Sequence, residues 1–308
     1  MSALENQIRG AIEVKELAFA KLNLTLDVGD KREDGFHDIT SVMQGIALYD
    51  NVTVRVVPLE EWEMYGVDTA VNAVTELRSY HSTQNRGLPR GRRNTAVKAA
   101  DAFFAFTGIT GFRAEISLEK HIPVGAGMAG GSADAAAVLR ALNRAFNTNL
   151  SFEFLRAIGA TVGSDVPFCI EGGTALAMGR GEILQQLPDF PNCEIVIVKP
   201  DFSVSTAELF AAIDRVKIRS RPDTKGILDA INEGNLNLAV RYLYNVFEDA
   251  LPTPQAAEVA AIREKLLDCG ALGAVMTGTG SAVFGLFSEG SAEAADKLRS
   301  TYKSVFVC

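Results

Sequence analysis

A glycine-rich segment between two stretches of different hydrophobic period constrains the fold more than any other feature of this sequence. Over residues 112–118 apolar and polar side chains alternate, and this period of two predicts a half-buried β-strand. Over residues 135–146 apolar side chains recur at i, i+3, i+4, i+7 and i+11, which predicts an amphipathic helix. The segment between them, residues 123–132, reads PVGAGMAGGS. A strand, a glycine loop and a helix in this order indicate a fold that mixes α and β structure.

The same segment carries the strongest chemical signal. Gly125, Gly127, Gly130 and Gly131 permit positive φ angles, and such a backbone turns its N–H groups toward an anion without obstruction by side chains. The start of the following helix adds unpaired N–H groups and the positive end of the helix dipole. The loop therefore predicts a phosphate site; a flexible connection that only needs tight turns is the alternative. Ser132 is predicted to be the N-cap of the helix, and its hydroxyl is also able to reach a phosphate or Mg²⁺.

Strands and helices alternate along the rest of the chain. The length of 308 residues corresponds to two domains at roughly 150 residues each. Pro188 and Pro191 mark the boundary, which predicts an N-terminal domain over 1–187 and a C-terminal domain over 188–308. Further strands are predicted over 22–28, 52–56, 195–198, 274–277 and 282–287, and further helices over 151–158, after Pro167, and over 206–213, 235–244, 255–268 and 292–302. The alternation predicts two α+β domains.

Charge and composition restrict the function. Lys and Arg number 30 and Asp and Glu number 38, so the net charge is −8, which disfavours a general nucleic-acid binder. No membrane association is expected, because no apolar run reaches the length of a spanning helix. The first 15 residues contain acidic side chains where a leader peptide has none, so a cytoplasmic protein is expected. The four cysteines and three histidines lack metal-ligand spacing, and no protein-held metal is predicted.

Two charged residues have both an ordinary and a chemical interpretation. Asp165, in the segment GSDVP, directly precedes a predicted helix, where an acidic residue often only complements the helix dipole. A catalytic carboxylate is the other interpretation. Lys21 lies at the head of a predicted strand, where a solvated lysine would be unremarkable.

Other candidates are also ambiguous on local evidence. Phe36, His37 and Phe210 are isolated aromatic residues, and such residues usually pack in a core, whereas a ligand contact is the alternative. The segment 277–281, TGTGS, is predicted to be a hairpin turn, and its hydroxyl and N–H groups also suit a second anion or substrate contact.

Taken in order, three segments resemble the three motifs of the galactokinase, homoserine kinase, mevalonate kinase and phosphomevalonate kinase (GHMP) superfamily. They are residues 20–24, 123–133 and 277–281. Four segments, residues 21–24, 32–37, 163–168 and 278–281, resemble more narrowly the branch that phosphorylates a cytidine-diphosphate-linked methylerythritol. The resemblance implies a two-domain α+β GHMP kinase fold, with an N-terminal ribosomal-protein-S5-domain-2-like domain and a C-terminal ferredoxin-like domain.

The resemblance also implies an activity and a set of roles. The activity is ATP-dependent phosphorylation of the 2-hydroxyl of the methylerythritol unit in the non-mevalonate route to isoprenoid precursors, with Mg²⁺. Asp165 matches the general base, and Lys21 matches the lysine that holds this aspartate and the hydroxyl. The residues that would wrap the ATP phosphates are Pro123, Gly125, Ala126, Gly127, Met128, Ala129, Gly130, Gly131 and Ser132. The residues that would bind the substrate are Asn23, Phe36, His37, Thr206, Phe210, Gly278, Thr279 and Gly280.

Two other functions compete with this one. The first is a GHMP kinase for another alcohol, such as homoserine or mevalonate, but an aromatic site for cytosine at Phe36, His37 and Phe210 would serve neither substrate. The second is a nucleotide-binding regulator that has lost the chemistry, and the joint presence of Lys21 and Asp165 argues against it. The sequence assigns no adenine contacts and predicts no oligomeric state.

Overall fold

The computed structural model describes residues 10–59, 74–82, 88–89 and 91–308. The first nine residues, on which the expectation of no leader peptide partly depends, lie outside them. The chain forms two compact units, each assembled from separate stretches. The first unit contains Met1–Ala20, Leu48–Ile122 and Ala129–Glu171, and the second contains Lys21–Ala47, Pro123–Met128 and Gly172–Cys308. The division into domains at residues 187 and 188 remains a prediction.

Both units contain strands and helices. The strands are β1 (Ile12–Asn23), β2 (Thr25–Lys31), β3 (His37–Pro58), β4 (Val74–Ser82), β5 (Phe112–Lys120), β6 (Thr174–Met178), β7 (Ile183–Gln186), β8 (Glu194–Lys199), β9 (Tyr244–Asn245), β10 (Gly273–Met276), β11 (Val283–Phe287) and β12 (Ser304–Val307). The α-helices are α1 (Thr95–Thr107), α2 (Gly130–Ala145), α3 (Phe152–Val162), α4 (Val166–Glu171), α5 (Thr206–Ile213), α6 (Thr224–Asn232), α7 (Leu236–Ala239), α8 (Thr253–Asp268) and α9 (Ser291–Arg299).

In the first unit the strands predicted over 52–56 and 112–118 are present, and they pair with each other in a sheet. The second half of β3 pairs antiparallel with β5, so that Val54 lies opposite Ile116, and β5 pairs parallel with β4. Val52, Val54 and Val56 are buried, which confirms the alternation predicted over 52–56. Helices α1 to α4 pack together. The amphipathic helix predicted over 135–146 is α2, which begins five residues earlier, at Gly130.

In the second unit an antiparallel sheet has the strand order β10-β11-β8-β12. Helix α8 packs against β10 and β11, and α9 packs against β8 and β12. The strands predicted over 195–198, 274–277 and 282–287 correspond to β8, β10 and β11 and are confirmed. Elsewhere in this unit β2 pairs antiparallel with β3, the first half of β3 pairs antiparallel with β6, and β9 pairs parallel with β2.

Two predicted elements are wrong in detail. The helix predicted over 235–244 is instead the single turn α7, then a 3₁₀ helix, then β9, because residues 244–245 pair with β2. The strand predicted over 22–28 is divided between β1 and β2 at Leu24. Its polar residues Asn23 and Thr25 are buried, because their side chains form hydrogen bonds inside the protein. Within the described residues, no helix combines the length and the apolar character needed to cross a membrane.

Candidate functional site

The first turn of α2 lacks a side-chain cap. The N-cap residue is Ala129, in the left-handed conformation with φ 56°, and no side chain there accepts a hydrogen bond from the helix. The prediction that Ser132 is the N-cap is therefore wrong, because Ser132 is the third residue of the helix. The first backbone N–H groups of a helix have no partner within the helix, so this uncapped end is suited to an anion.

Two kinds of requirement select the glycines around this helix start. Gly125 and Gly127 have φ angles of 65° and 76°, which confirms the prediction of positive φ at these positions. Gly130 and Gly131 belong to the helix, and positive φ is not the reason for glycine there. A methyl group on Gly130 would lie 3.0 Å from Cγ2 of Ile122, and one on Gly131 would lie 3.0 Å from Oγ1 of Thr95. Close packing therefore favours glycine at these two positions, because the neighbouring side chain would have to shift to admit a methyl group.

A buried charge network lies beside the start of α2. Nζ of Lys120 donates to Oδ2 of Asp134 at 2.6 Å, to a carboxylate oxygen of Asp50, and at 3.5 Å to the carbonyl oxygen of Gly130. All three charged side chains are at most 4% exposed. This network has no signal in the sequence, because its members are 70 and 14 residues apart and form no local motif.

The network fixes the chain on both sides of the glycine loop. Oδ1 of Asp50 accepts hydrogen bonds from the backbone N–H groups of His121 (2.5 Å) and Ile122 (2.8 Å), just before the loop, whereas Asp134 belongs to the helix after it. Oδ1 of Asp134 is buried without a hydrogen-bond partner in the described part of the chain. Burial raises the pKa of Asp134 to about 7, although the charge of Lys120 acts in the opposite direction.

Asp165 lies in a tight turn between α3 and α4. Its side chain is half-buried, and its carbonyl oxygen accepts the first hydrogen bond of α4, from the N–H of Cys169 at 3.1 Å. The helix predicted after Pro167 begins one residue earlier, at Val166. A methyl group on Gly163, at the start of this turn, would lie 3.8 Å from Oγ of Ser132. The candidate base and the uncapped first turn of α2 are thus neighbours within one unit.

In the second unit Lys21 is a buried residue. It is 3% exposed, and its Nζ donates to Oδ1 of Asn23 at 2.5 Å and to the carbonyl oxygen of Gly127 at 3.1 Å. The interpretation of Lys21 as a solvated lysine is therefore wrong. Asn23 also donates through Nδ2 to Oγ of Ser41 at 2.7 Å. A desolvated ammonium group beside the glycine loop is able to interact strongly with a negative charge.

The segment 277–281 forms the turn of the β10–β11 hairpin, as predicted, and also packs on the glycine loop. Oγ1 of Thr277 accepts a hydrogen bond from the N–H of Asn23 at 2.9 Å. A methyl group on Gly127 would lie 2.1 Å from the carbonyl oxygen of Thr277, so the two backbones are in direct contact. Nδ2 of Asn245 donates to the carbonyl oxygens of Met276 and Gly278, both at 2.8 Å, and holds the turn.

Further contacts connect the glycine loop and the hairpin turn to neighbouring residues of the second unit. The carbonyl oxygen of Ala126 accepts from the N–H of Ala282 at 3.3 Å, and the N–H of Lys21 donates to the carbonyl oxygen of Met128 at 3.3 Å. The hydroxyl oxygens of Thr206 and Thr279 are 3.0 Å apart. Gly278 and Gly280 have positive φ angles, and Pro123 is buried.

The aromatic candidates are also in the second unit. Phe36 is 53% exposed, so core packing is the wrong interpretation for it, and the guanidinium carbon of Arg180 lies 5.1 Å from the centre of its ring. The rings of His37 and Phe210 are 5.4 Å apart and inclined by 32°. Nε2 of His37 lies 2.7 Å from Oδ1 of Asp214. An exposed phenylalanine and a half-buried one beside a histidine provide flat surfaces and a polar edge for a planar ligand.

Comparisons with known proteins agree with these observations. The model for the GHMP kinases N terminal domain matches residues 94–173, and the model for the GHMP kinases C terminal domain matches residues 224–304. The 4-diphosphocytidyl-2-C-methyl-D-erythritol kinase of Caldicellulosiruptor bescii is 38% identical over 297 residues, which cover 96% of this chain and 97% of the relative.

Two solved structures are similar in fold. A crystal structure of 4-(cytidine 5'-diphospho)-2C-methyl-D-erythritol kinase has a TM-score of 0.72 and 31% identity, and the match covers 96% of this chain and 98% of that one. The crystal structure of homoserine kinase from Cytophaga hutchinsonii has a TM-score of 0.69 over 98% of this chain and 95% of that one. Its identity of 18% supports a similarity of fold alone.

Proposed function

Since the chain belongs to the 4-diphosphocytidyl-2-C-methyl-D-erythritol kinase family of GHMP kinases, we propose that Asp165 and Lys21 carry out its chemistry. The protein is an ATP-dependent kinase that phosphorylates its cytidine-diphosphate-linked alcohol in isoprenoid precursor biosynthesis. The GHMP kinase fold predicted from the sequence is confirmed. We also propose that the enzyme acts in the cytoplasm.

The phosphates of ATP bind at the glycine loop and the first turn of α2. The uncapped helix start supports this assignment, because its N–H groups and the helix dipole favour an anion. The buried network of Asp50, Lys120 and Asp134 fixes the position of this turn before a nucleotide arrives. Fixed main-chain donors stabilise the charge of a phosphoryl group in transfer without having to rearrange.

Asp165 is the general base of the reaction. Its carboxylate takes the proton from the 2-hydroxyl of the methylerythritol unit, and the resulting oxygen forms a bond to the γ-phosphorus of ATP. The bond from that phosphorus to the β–γ bridging oxygen breaks, and ADP leaves. A base in this position contributes about 10²- to 10⁴-fold in rate. The position of the Gly163–Asp165 turn next to Ser132 is the observation that supports this role most strongly.

Lys21 supplies positive charge to the same reaction. Its burial and its hydrogen bond to the carbonyl oxygen of Gly127 hold the ammonium group beside the loop. By the family resemblance this ammonium group holds the substrate hydroxyl in place and offsets the negative charge of the phosphoryl group in transfer. Asn23 fixes the direction of the lysine side chain through the bond to its Oδ1.

With ATP bound, Mg²⁺ would be held by phosphate oxygens and by the hydroxyl of Ser132 in the first turn of α2. The described residues contain no group of three or more histidine, cysteine, aspartate or glutamate side chains that could hold a metal ion. Mg²⁺ usually keeps several waters and binds through one or two protein groups together with substrate phosphate oxygens, so it does not need such a group of side chains. When bound, Mg²⁺ neutralises part of the phosphate charge.

The cytosine ring of the substrate binds between Phe36 and Phe210, with His37 at its polar edge. Phe36 is exposed and able to stack on a base, whereas Phe210 is held from behind by an edge-on contact with Phe247 at 4.9 Å. Stacking on aromatic side chains is worth about 1–3 kcal/mol per base. Such a site has no use for homoserine or mevalonate, which lack an aromatic ring.

An ADP-release assay tests the proposed function directly. The purified protein is given ATP, Mg²⁺ and, in turn, the cytidine-diphosphate-linked methylerythritol, homoserine and mevalonate at equal concentration. We expect ADP release with the cytidyl substrate only. Equal or faster release with homoserine or mevalonate would contradict the assignment of the aromatic site, and no release with any alcohol would support a regulator instead.

A further inference from the structure

His37 has a carboxylate partner that the family resemblance did not assign. Oδ1 of Asp214 lies 2.7 Å from Nε2 of His37, and the side chains of His37 and Asp214 are 4% and 37% exposed. The two residues are 177 positions apart, and both belong to the second unit. The pair therefore results from the fold and not from a local turn.

The position of Asp214 is unfavourable for its own helix. Asp214 is the C-cap residue of α5, directly after Ile213. The C-terminal end of a helix carries partial negative charge, so a carboxylate there costs free energy, and cations are the favoured residues. Helix stability does not explain an aspartate at this position, whereas the hydrogen bond to His37 does. Local rules are typically broken where a residue has a function.

The ring of His37 is held in place from a second side. Phe210 packs against it with ring centres 5.4 Å apart, and Phe210 in turn contacts the buried ring of Phe247. Asp214 and Phe210 together fix the position of the imidazole ring, so its hydrogen bonding to a ligand depends on which nitrogen carries the proton.

Asp214 determines which nitrogen of His37 carries that proton. An ionised carboxylate only accepts hydrogen bonds, so Nε2 must be the N–H donor. In the neutral imidazole the other nitrogen, Nδ1, then has a free lone pair and acts as an acceptor. Within the described residues Nδ1 of His37 has no hydrogen-bond partner, so it is available to a ligand.

We infer that Asp214 is a positioning residue that makes Nδ1 of His37 an acceptor and thereby selects cytosine over uracil. The inference rests on the proposed function, in which His37 faces the polar edge of the base. Cytosine presents a 4-amino group, which donates to Nδ1. Uracil presents a 4-oxo group at the same place, and its lone pairs would face the lone pair of Nδ1. A site whose acceptor pairs with a hydrogen-bond donor of the substrate discriminates against an analogue that lacks this donor.

The experiment compares two substrates in three proteins. The ratio of kcat/KM for the cytidine-linked substrate to that for its uridine-linked analogue is measured in the wild type, in Asp214→Asn and in the control Glu208→Gln. Asparagine can donate its amide N–H to Nε2, so the ring proton is no longer confined to that nitrogen. We expect the ratio to fall by about tenfold or more in Asp214→Asn, through a higher KM for the cytidine-linked substrate with little change in kcat.

The control tests whether any charge loss on α5 has the same effect. Glu208 is an exposed residue in the first turn of this helix, and we expect its variant to keep the wild-type ratio. Asp214→Glu, which retains a carboxylate, should recover part of the selectivity. A protein that merely needed Asp214 for stability would lose activity toward both substrates equally, and that result would overturn the inference.

A second readout reports the ring proton itself. The sequence contains only three histidines, at positions 37, 81 and 121, so ¹⁵N-labelled imidazoles can be assigned by single substitutions. We expect the Nε2–H form for His37 in the wild type and a change of that signal in Asp214→Asn. An Nδ1–H or doubly protonated ring in the wild type, or an unchanged ratio in Asp214→Asn, would overturn the inference and leave the kinase assignment intact. Failure of the wild type to use the cytidine-linked substrate would instead overturn the proposed function, and the inference with it.

Discussion

The phosphate end and the base end of the proposed site contact their ligands in different ways. At the phosphate end the proposed contacts are backbone N–H groups of residues 125–132, and the carbonyl oxygen of Thr277 leaves no room for a side chain at Gly127. At the base end the contacts come from the side chains of Phe36, His37 and Phe210. A site whose contacts come from backbone groups depends on the conformation of the whole loop. In a site whose contacts come from side chains, a single substitution changes a single contact. Changes at the phosphate end should therefore affect kcat or stability, and changes at the base end should affect KM.

The largest effect is expected for Asp165→Asn. The amide has the same shape but does not accept the proton of the 2-hydroxyl, so kcat should fall by about 10²-fold or more while the affinity for ATP is retained. Steady-state kinetics and equilibrium binding of a non-hydrolysable ATP analogue measure the two quantities. The control is Glu153→Gln, which neutralises an exposed carboxylate in the first turn of α3. A variant with near-normal kcat would remove Asp165 from the mechanism.

The next largest effect is on thermal stability, and it should differ between two glycines of the loop that share a conformation. Gly125 and Gly127 both have positive φ, so alanine costs about 1–2 kcal/mol at either position. A methyl group at 127 would also lie 2.1 Å from the carbonyl oxygen of Thr277, which is a collision with backbone. One at 125 would lie 3.0 Å from Oγ and 3.3 Å from Cβ of Ser203, and a small shift of that side chain relieves both contacts. Gly127→Ala should therefore lower Tm more than Gly125→Ala in thermal unfolding. Equal losses would contradict the close contact between loop and hairpin.

At the base end a smaller and different effect is expected. Phe210→Ala removes one stacking surface, which is worth about 1–3 kcal/mol, so KM for the cytidyl substrate should rise about tenfold with kcat nearly unchanged. Phe154→Ala, which removes an exposed phenylalanine of the first unit, serves as the control. If Phe210→Ala lowered kcat and left KM unchanged, the distinction between the two ends would fail.

A further effect, which depends on pH, concerns the buried network beside the phosphate end. The pKa of Asp134 is raised from 3.8 to about 7, so the folded protein keeps a proton that the unfolded chain releases between these values. Unfolding then releases a proton, and the free energy of unfolding should decrease as pH rises from about 4 to about 7, by at most about 1.4 kcal/mol per pH unit. Urea unfolding at several pH values measures this slope. Asp134→Asn should flatten it, and an unchanged slope would exclude Asp134 as its source.

The sequence predicted elements whose period was clear. The strands at 52–56 and 112–118, the helix α2 and the β10–β11 hairpin were all readable from hydrophobic spacing. The single strand expected over 22–28 was wrong, because a period of two assumes that polar residues face water. Asn23 instead faces the protein interior, where Ser41 and Thr277 supply its partners.

The candidate site was only partly predictable for a related reason. The glycine loop is contiguous, and its residue types reveal its role. Asp50, Asn245 and Asp214 act through partners that are 31 to 177 residues away, and a single sequence contains no signal for such pairs. The capping role predicted for Ser132 failed because the left-handed turn at Ala129 starts the helix three residues earlier than a serine cap would.

A crystal structure with a non-hydrolysable ATP analogue and the cytidyl substrate tests the central claim most directly. We predict that the γ-phosphate lies within hydrogen-bond distance of the backbone N–H groups of residues 130–132 and that the 2-hydroxyl lies on the carboxylate of Asp165. A triphosphate bound away from the start of α2, or a carboxylate of Asp165 turned away from the alcohol, would contradict it.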